Sequence, residues 1–493
     1  MSVLRQFAAT VIVDVSCCML FGVVAGWTSS ALPLLQSDAS PLGVPLTVEE
    51  GSWVGAVSTL TGTVGTPLFG LCVARYGCKP SAFLAAALML GSWVLILVGQ
   101  HVAVLIVSRA LAGVSGAGGF VVCGAYVRDI SEDAVRGSLC SFLVIAYIIG
   151  LLCSYALPLA LSYTMTAVVS LVLSAASLAG LFWLPDTPWY YFSKGRPDEA
   201  KASLRWFRVG KTEEELETEF AMRQAAVEKK RLEDAERHVS LRDLFATKAN
   251  RRAFAIGMVV CANQQLSGII AVVSYAEGIF SAAGGAIDPA LSAVVVGASL
   301  LGGVAVSTLL TDRAGRRALL LLSNAGIAVS TAALGAHFYV TRAGGWSPGW
   351  LPIASLCVFV VTVSLGVYPV PYVVLAEIFS QRIRELATSL GLTLLWGVCF
   401  LVAKLYPSVA AAWGDHVCYW FFCASCVACG LFIALVMPET KGRSLEDIQN
   451  DLAAGRLCGR RAKTEEAIFS SSRWLTLSGQ NLSVNNQKKE IVW

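Results

Sequence analysis

Twelve stretches of this chain are each long and apolar enough to cross a lipid bilayer. A spanning helix needs about 20 consecutive apolar residues. Hydrocarbon offers a bare peptide group no partner, so each stretch must satisfy its own backbone as a helix. The stretches are Phe7–Ala31, Trp53–Ala74, Ala82–Gly99, Val102–Val127, Ser138–Ala160, Met165–Leu184, Ala253–Ala283, Ala290–Thr311, Ala318–Val340, Leu351–Leu375, Ala387–Ala410 and His416–Met437. Composition agrees: 56% of the 493 residues are hydrophobic and 14% are charged, against roughly 25% charged in soluble domains. The net charge of +4 carries no nucleic-acid signature, and no nucleic-acid partner is expected. The chain reads as an all-α membrane protein.

The loop charges alternate. Gln36–Ser52 holds Asp38, Glu49 and Glu50 with no Lys or Arg, whereas the next loop holds Arg75 and Lys79. Arg128 and Arg136 follow span four, Arg316 and Arg317 follow span eight, and Arg384 follows span ten. The positive-inside rule then puts the basic loops and both termini in the cytoplasm. Phe7–Ala31 is too long for the apolar core of a signal peptide and is read as the first span. The fifteen cysteines are scattered, mostly within spans. There they act as small hydrophobes, with no spacing that suggests a disulfide framework or a metal site.

Between Pro185 and Arg252 the sequence turns polar, and Glu213–Glu219 and Glu228–Arg237 read as exposed helices with i,i+4 charge pairs. This segment divides two six-span halves that repeat. "GLCVARYGCK" after span two matches "TLLTDRAGRR" after span eight. "YVRDISEDAVRG" after span four matches "LAEIFSQRIRE" after span ten, and "LPDTP" after span six matches "MPETKGR" after span twelve. A parallel duplication suits transporters that rock two bundles about a midplane site. The expected units are a six-helix bundle over residues 1–184, a cytoplasmic linker over 185–252, a second bundle over 253–437 and a tail over 438–493. The tail beyond Leu457 is polar and expected to be disordered.

The residues "DRAGRR", "RALAGVSGAGG", "QQLSG", "PVPY", "AEIF" and "PETKGRSLEDI" carry a resemblance to the sugar porters of the major facilitator superfamily, from about Phe7 to Ile448. "GWTSSALPLL" and "EEGSWVGA" resemble its insect trehalose-transporter-like branch. The resemblance implies the two-bundle fold, alternating access in the plasma membrane, and a small sugar as substrate, usually moved down its gradient. It implies no cofactor, no metal and no enzymatic chemistry.

It also assigns roles. Gln264 and Gln265 face the sugar, Tyr275 matches an aromatic gate position, Trp396 lines the sugar from below, and Tyr372 stands where tryptophan is usual. Arg75, Asp129, Arg136, Asp312, Arg316, Arg317, Glu377 and Arg384 belong to a charge network around the inner mouth. Pairs across that mouth, formed when it is shut, would bias the outward-facing state. The alternative for these charges is plain anchoring of helix ends. Pro369 and Pro371 remove backbone donors and break span ten, as a flexible outer gate or as a static kink.

The chain departs from the family at several places. Ala74 and Cys78 thin the first-half turn motif. Ile270, Val144, Leu300, Ser364, Leu395 and Cys399 stand where polar sugar contacts are usual. Proton-coupled members carry an aspartate two residues after the span-one "FG", and here that position is Val24. Arg109, its partner in them, lacks a mate, so uncoupled transport is expected. Asp14 is read as structural or hydrated, Lys404 as snorkelling to the outer surface, and Glu277 as lining the mouth. A non-transporting sensor and a proton-coupled symporter are the alternatives.

Overall fold

The computed structural model of the chain describes residues 2–132, 134–235, 240–284, 288–380 and 383–455, leaving aside the side chains of residues 230–235, 308, 309 and 311–313. Twelve helices are long and apolar enough to cross a membrane. They run Ser2–Leu35, Val48–Tyr76, Cys78–Val98, Val102–Ile130, Arg136–Leu159 and Tyr163–Trp183 in the first half. Lys248–Ala283, Pro289–Ser307, Arg316–Arg342, Leu351–Ile378, Arg384–Trp413 and Asp415–Val436 form the second. The expected count holds, but several ends move outward. Span two begins at Val48 because "TVEE" is a capping box: Thr47 Oγ1 accepts from Glu50 N and Glu50 Oε2 accepts from Thr47 N. That adds more than a turn before Trp53.

Three spans are interrupted, each for a visible reason. Span one passes through a π turn at Val15–Met19. Span seven breaks at Gly268, whose φ of 91° an L side chain rarely adopts. It breaks again at Tyr275, with φ −130° and ψ 19°. Span ten stops at Leu365 and resumes at Val370, with Pro369 as the cap of the second piece and Pro371 buried inside it. The broken turn is not left bare. Ser323 Oγ of span nine donates to Thr362 O (2.5 Å) and accepts from Val367 N (3.1 Å).

The linker between the halves is more structured than its composition suggests. It holds helices Pro188–Ser193, Pro197–Phe207 and Glu213–Ala235, the last replacing the two short helices expected there. It is tied down by Arg208, whose side chain is wholly buried. Arg208 donates to Glu219 at 3.0–3.1 Å and to the Ile130 carbonyl at the end of span four, at 2.8 Å. Arg223 donates to Glu219 and to the Asp129 carbonyl. Burial works against the Glu219 charge, but these cations hold its carboxyl down at about 2. The polar tail beyond Leu457 lies outside the described residues.

Candidate transport site

The two halves meet along spans one, two and five on one side and seven, eight and eleven on the other. On the side away from the linker they close tightly. Tyr275, at the break in span seven, donates its hydroxyl to the Ala403 carbonyl of span eleven (2.8 Å) and stacks on Tyr406 (centroids 5.5 Å apart, 23°). Its hydroxyl rests on the bare backbone of Gly55 in span two, where a Cβ would come within 2.4 Å. Tyr155 of span five donates to Val273 O (2.6 Å), and Glu277 N donates to Ser29 Oγ (3.0 Å). Lys404 does not snorkel. Its ammonium donates to Ser52 Oγ (2.6 Å) and lies 4.5 Å from the centre of the Trp53 ring, across the junction. Outside this seal is a vestibule of about 230 Å³ lined by Ser29, Gln36, Tyr275, Tyr406 and Asp415, among others.

On the linker side a cavity of about 2020 Å³ opens between the first half and the linker helices, with Glu385 of the second half at its edge. Phe120, Val121 and Gly124 of span four, Arg128, Asp129, Arg136, Glu385 and the linker helix line it. Its inner end reaches an aromatic cluster that the sequence did not announce. Phe120 packs edge-on to Phe21 and tilted against Tyr147, and Phe21 packs edge-on to Trp396 (6.2 Å). Trp396 thus crosses between the halves, with Gly62 of span two 3.1 Å from its ring by the position of a Cβ there. The signal for Phe21, Phe120 and Tyr147 was only their helical spacing, which fits core packing equally well.

Beside this cluster lie the span-seven amides. Gln264 is 1% exposed, and Gln265 7%. Gln264 Nε2 donates to the Tyr368 carbonyl at the span-ten break (3.1 Å), while the Oε1 atoms of both residues are buried without a partner. An unpaired buried amide oxygen is costly, so two together mark a place built to receive donors. Tyr372 is 47% exposed although it lies deep in the molecule, with its hydroxyl beside Gln264. Of the positions that lost family amides and acids, Leu300, Leu395 and Cys399 are buried, and Ser364 turns its hydroxyl onto its own helix at Val360 O. Ile270 and Val144 pack against the second half's core.

The charges sort differently from expectation. Arg109 joins no carboxylate among the described residues. Its guanidinium donates to the carbonyls of Val24 (2.5 Å) and Val54 (3.2 Å) and to Thr28 Oγ1 (2.7 Å), and stacks on Trp27. It clamps spans one, two and four on the closed side, away from the mouth charges. Arg75 is exposed and lies over Tyr76. Arg316 pairs with Glu377 (3.0 Å), which also accepts from Thr440 Oγ1, and Arg384 donates to Phe379 O. Arg317 reaches Ala434 O. These contacts lie within the second half. Arg136 lines the opening, and the side chain of Asp312 lies outside the described residues.

The matched "LPDTP" and "MPETK" segments turn out to be one device used twice. Asp186 Oδ1 accepts from the backbone N–H of Cys78, Lys79 and Thr187, capping the start of span three. Glu439 accepts from Arg316 and Arg317 N–H at the start of span nine. A carboxylate at a helix N-terminus meets unpaired donors and the positive end of the dipole. The repeat itself was the signal for this role, since an acid recurs at the same place in both halves.

Comparison with known proteins agrees with this architecture. Residues 10–452 match the family described as "Sugar (and other) transporter". A facilitated trehalose transporter Tret1 of Culex quinquefasciatus is 34% identical over 447 residues, covering 90% of this chain and 84% of the relative. The Anopheles gambiae protein of the same name is 33% identical over 88% of this chain, which spans 54% of it. Among solved structures, the inward open conformation of the xylose transporter XylE from E. coli superposes with a TM-score of 0.74. It covers 90% of this chain and 99% of that one at 21% identity, a likeness of fold. With twelve membrane helices in two six-helix bundles, the major facilitator fold, and this match, the chain belongs to the family of sugar (and other) transporters.

Proposed function

We propose that this protein is an uncoupled transporter that carries a sugar, trehalose or a hexose, across the plasma membrane by alternating access. The relatives' names supply the substrate class. The observation that carries the mechanism is the asymmetry of the molecule: the halves are sealed at Tyr275 and Lys404 on one side, a cavity of about 2020 Å³ bounded by the first half, the linker and Glu385 opens on the other, and unpaired amide oxygens of Gln264 and Gln265 are buried in the span-seven segment. In this reading the open side is cytoplasmic, with the linker and both termini. Residues 1–184 and 253–437 are the rocking bundles. The amides, Tyr372 and Trp396 hold the sugar by hydrogen bonds and ring contact, Tyr275 closes over it, and the breaks at Gly268 and Pro369 let the closing segments move. The Arg136, Asp129, Arg316, Glu377 and Arg384 set guards the inner mouth. No catalytic chemistry is assigned.

Uncoupled transport is favoured because Arg109 is already satisfied by carbonyls and hydroxyls, with Val24 where a coupling acid would stand. A second reading, a sensor that kept the fold and lost transport, is favoured by Ile270, Leu395 and Cys399 in place of polar contacts. Each missing hydrogen bond is worth about 0.5–1.5 kcal/mol. Vesicle uptake of labelled trehalose, glucose and polyols, with and without a pH gradient, separates these. Saturable uptake indifferent to the gradient is expected, and Gln265→Leu should abolish it. Uptake that collapses with the gradient points to symport, and none at all in correctly inserted protein points to the sensor.

A further inference from the structure

The π turn of span one, Val15–Met19, lies between helical pieces Ser2–Asp14 and Leu20–Leu35. Such single wide turns re-aim the side chains around them and recur at functional sites. Here Asp14, Cys17 and Cys18 are gathered against Cys123 of span four. A carboxylate oxygen of Asp14 and the sulfurs of Cys18 and Cys123 lie within 4.8 Å of one another, all three residues buried. The Cys17 thiol touches that of Cys123. Asp14 is 0% exposed, and neither of its oxygens accepts a hydrogen bond of ordinary geometry. None of these residues takes part in the transport site above.

A single thiol inside a span is adequately explained as a small hydrophobe. Cys123 does satisfy itself in part by donating to the Val13 carbonyl at 3.5 Å. Two thiols converging on a buried acid that has the Cys123 thiol beside it and no hydrogen bond of ordinary geometry are not explained that way. A disulfide between them would still leave Asp14 without a partner. A thiophilic cation satisfies the carboxylate and the sulfurs together.

We propose that Asp14, Cys18 and Cys123 form a site for a thiophilic divalent cation, Zn²⁺ or Cd²⁺. Bond lengths of about 2.3 Å to sulfur and 2.0–2.2 Å to oxygen put tetrahedral donors roughly 3.5–3.8 Å apart. From separations of up to 4.8 Å, the cluster needs to contract by up to about 1.3 Å to reach that. Cys18 and Cys123 bind as thiolates, and their two protons pass to water as the metal arrives. With the Asp14 carboxylate, the two thiolates leave the occupied site with one net negative charge. The ion ties span one to span four and fixes the π turn.

The test uses the full chain in detergent, stripped with chelator and titrated with Cd²⁺. The readouts are the ultraviolet thiolate-to-metal charge-transfer band and the thermal midpoint. One ion per chain and a raised midpoint are expected. Asp14→Asn and Cys123→Ser should each weaken binding at least tenfold, and Cys140→Ser, at an exposed thiol elsewhere, should leave it unchanged. Binding by both cluster variants at the wild-type affinity overturns the proposal. If those variants fail to fold, alkylation of the wild-type chain in mild denaturant decides. Cd²⁺ should slow the labelling of Cys18 and Cys123 and not that of Cys140, and equal rates with and without metal overturn the site.

Discussion

A methyl group added at Gly55 would stand 2.4 Å from the Tyr275 hydroxyl oxygen and 3.1 Å from the ring carbon that bears it. Neither distance can persist, and the nearer atom is held in place by its bond to the Ala403 carbonyl and its stack on Tyr406. Gly55→Ala should therefore expel Tyr275 from the seal whenever that side closes, while leaving the opposite, separated arrangement untouched. The lost hydrogen bond is worth about 0.5–1.5 kcal/mol, and the lost aromatic pair about the same. Together they move the equilibrium by about 1–3 kcal/mol, or roughly 5–150-fold, toward the state open on the vestibule side.

Thr59 provides the readout. It is buried one turn farther in, on the same face of span two that presents Gly55 to Tyr275 and Gly62 to Trp396. In a chain whose accessible native cysteines are replaced by serine, Thr59→Cys should react slowly with a membrane-impermeant maleimide added on the vestibule side. Gly55→Ala should raise that rate by the factor above. Tyr275→Phe removes the oxygen that the methyl strikes, so Gly55→Ala should have a much smaller further effect in that background. An unchanged or slower rate in Gly55→Ala, or full additivity with Tyr275→Phe, would refute the seal as drawn.

Lys404→Met should act in the same direction and more weakly, by roughly 2–30-fold in the same labelling assay, since a cation–π contact is worth about 0.5–2 kcal/mol. Asp186→Asn should lower the thermal midpoint of the purified protein by an amount corresponding to about 1 kcal/mol, and Glu439→Gln by a similar amount, as each weakens a charged helix cap. Ser323→Ala should cost about 1–3 kcal/mol in the same measurement, because Val367 N–H is then buried without a partner. The linker clamp should respond to acid. The folded Glu219 carboxyl sits at about 2 against an ordinary 4.5, so the stability it lends is full above about 4.5 and is lost as the pH falls toward 2. The protection factors over Glu213–Ala235, taken relative to intrinsic exchange at each pH, should fall between pH 5 and pH 3, and Glu219→Gln should show low protection at both.

What could be read in advance, and what could not, follows from which physical quantity each feature depends on. Span number depends on length and hydropathy, which are sums along the chain, and all twelve were legible. The break in span ten depends on Pro369 and Pro371, whose backbone limits hold in any context, whereas Gly268 only permits the break in span seven and does not impose it. The break at Tyr275 has no such residue. Its cause is tertiary, a ring seated on Gly55 and Tyr406, so no local pattern carried it. The start of span two was missed because hydropathy falls before Trp53 while the capping box at Thr47 keeps the backbone helical regardless of polarity.

Lys404 shows the limit most clearly. Sequence gives the depth of a residue along a span, and at that depth a lysine on a lipid-facing surface would snorkel. Whether it faces lipid or the opposite bundle depends on the rotation of span eleven and on which side of the junction is shut, and hydropathy encodes neither. The same holds for Arg109. With Val24 in place of an acid, side-chain identity alone offers Arg109 no charged mate. Its actual partners at 2.5 and 3.2 Å are the carbonyls of Val24 and Val54, and backbone acceptors are present at every position of every sequence. A guanidinium with five donors can be satisfied by groups that leave no trace in residue identity. An unmatched buried arginine is therefore weak evidence for a missing ion pair. A buried carboxylate such as Asp14 is stronger evidence, because helical backbone N–H groups are largely used up and its donors must come from side chains, which residue identity does show.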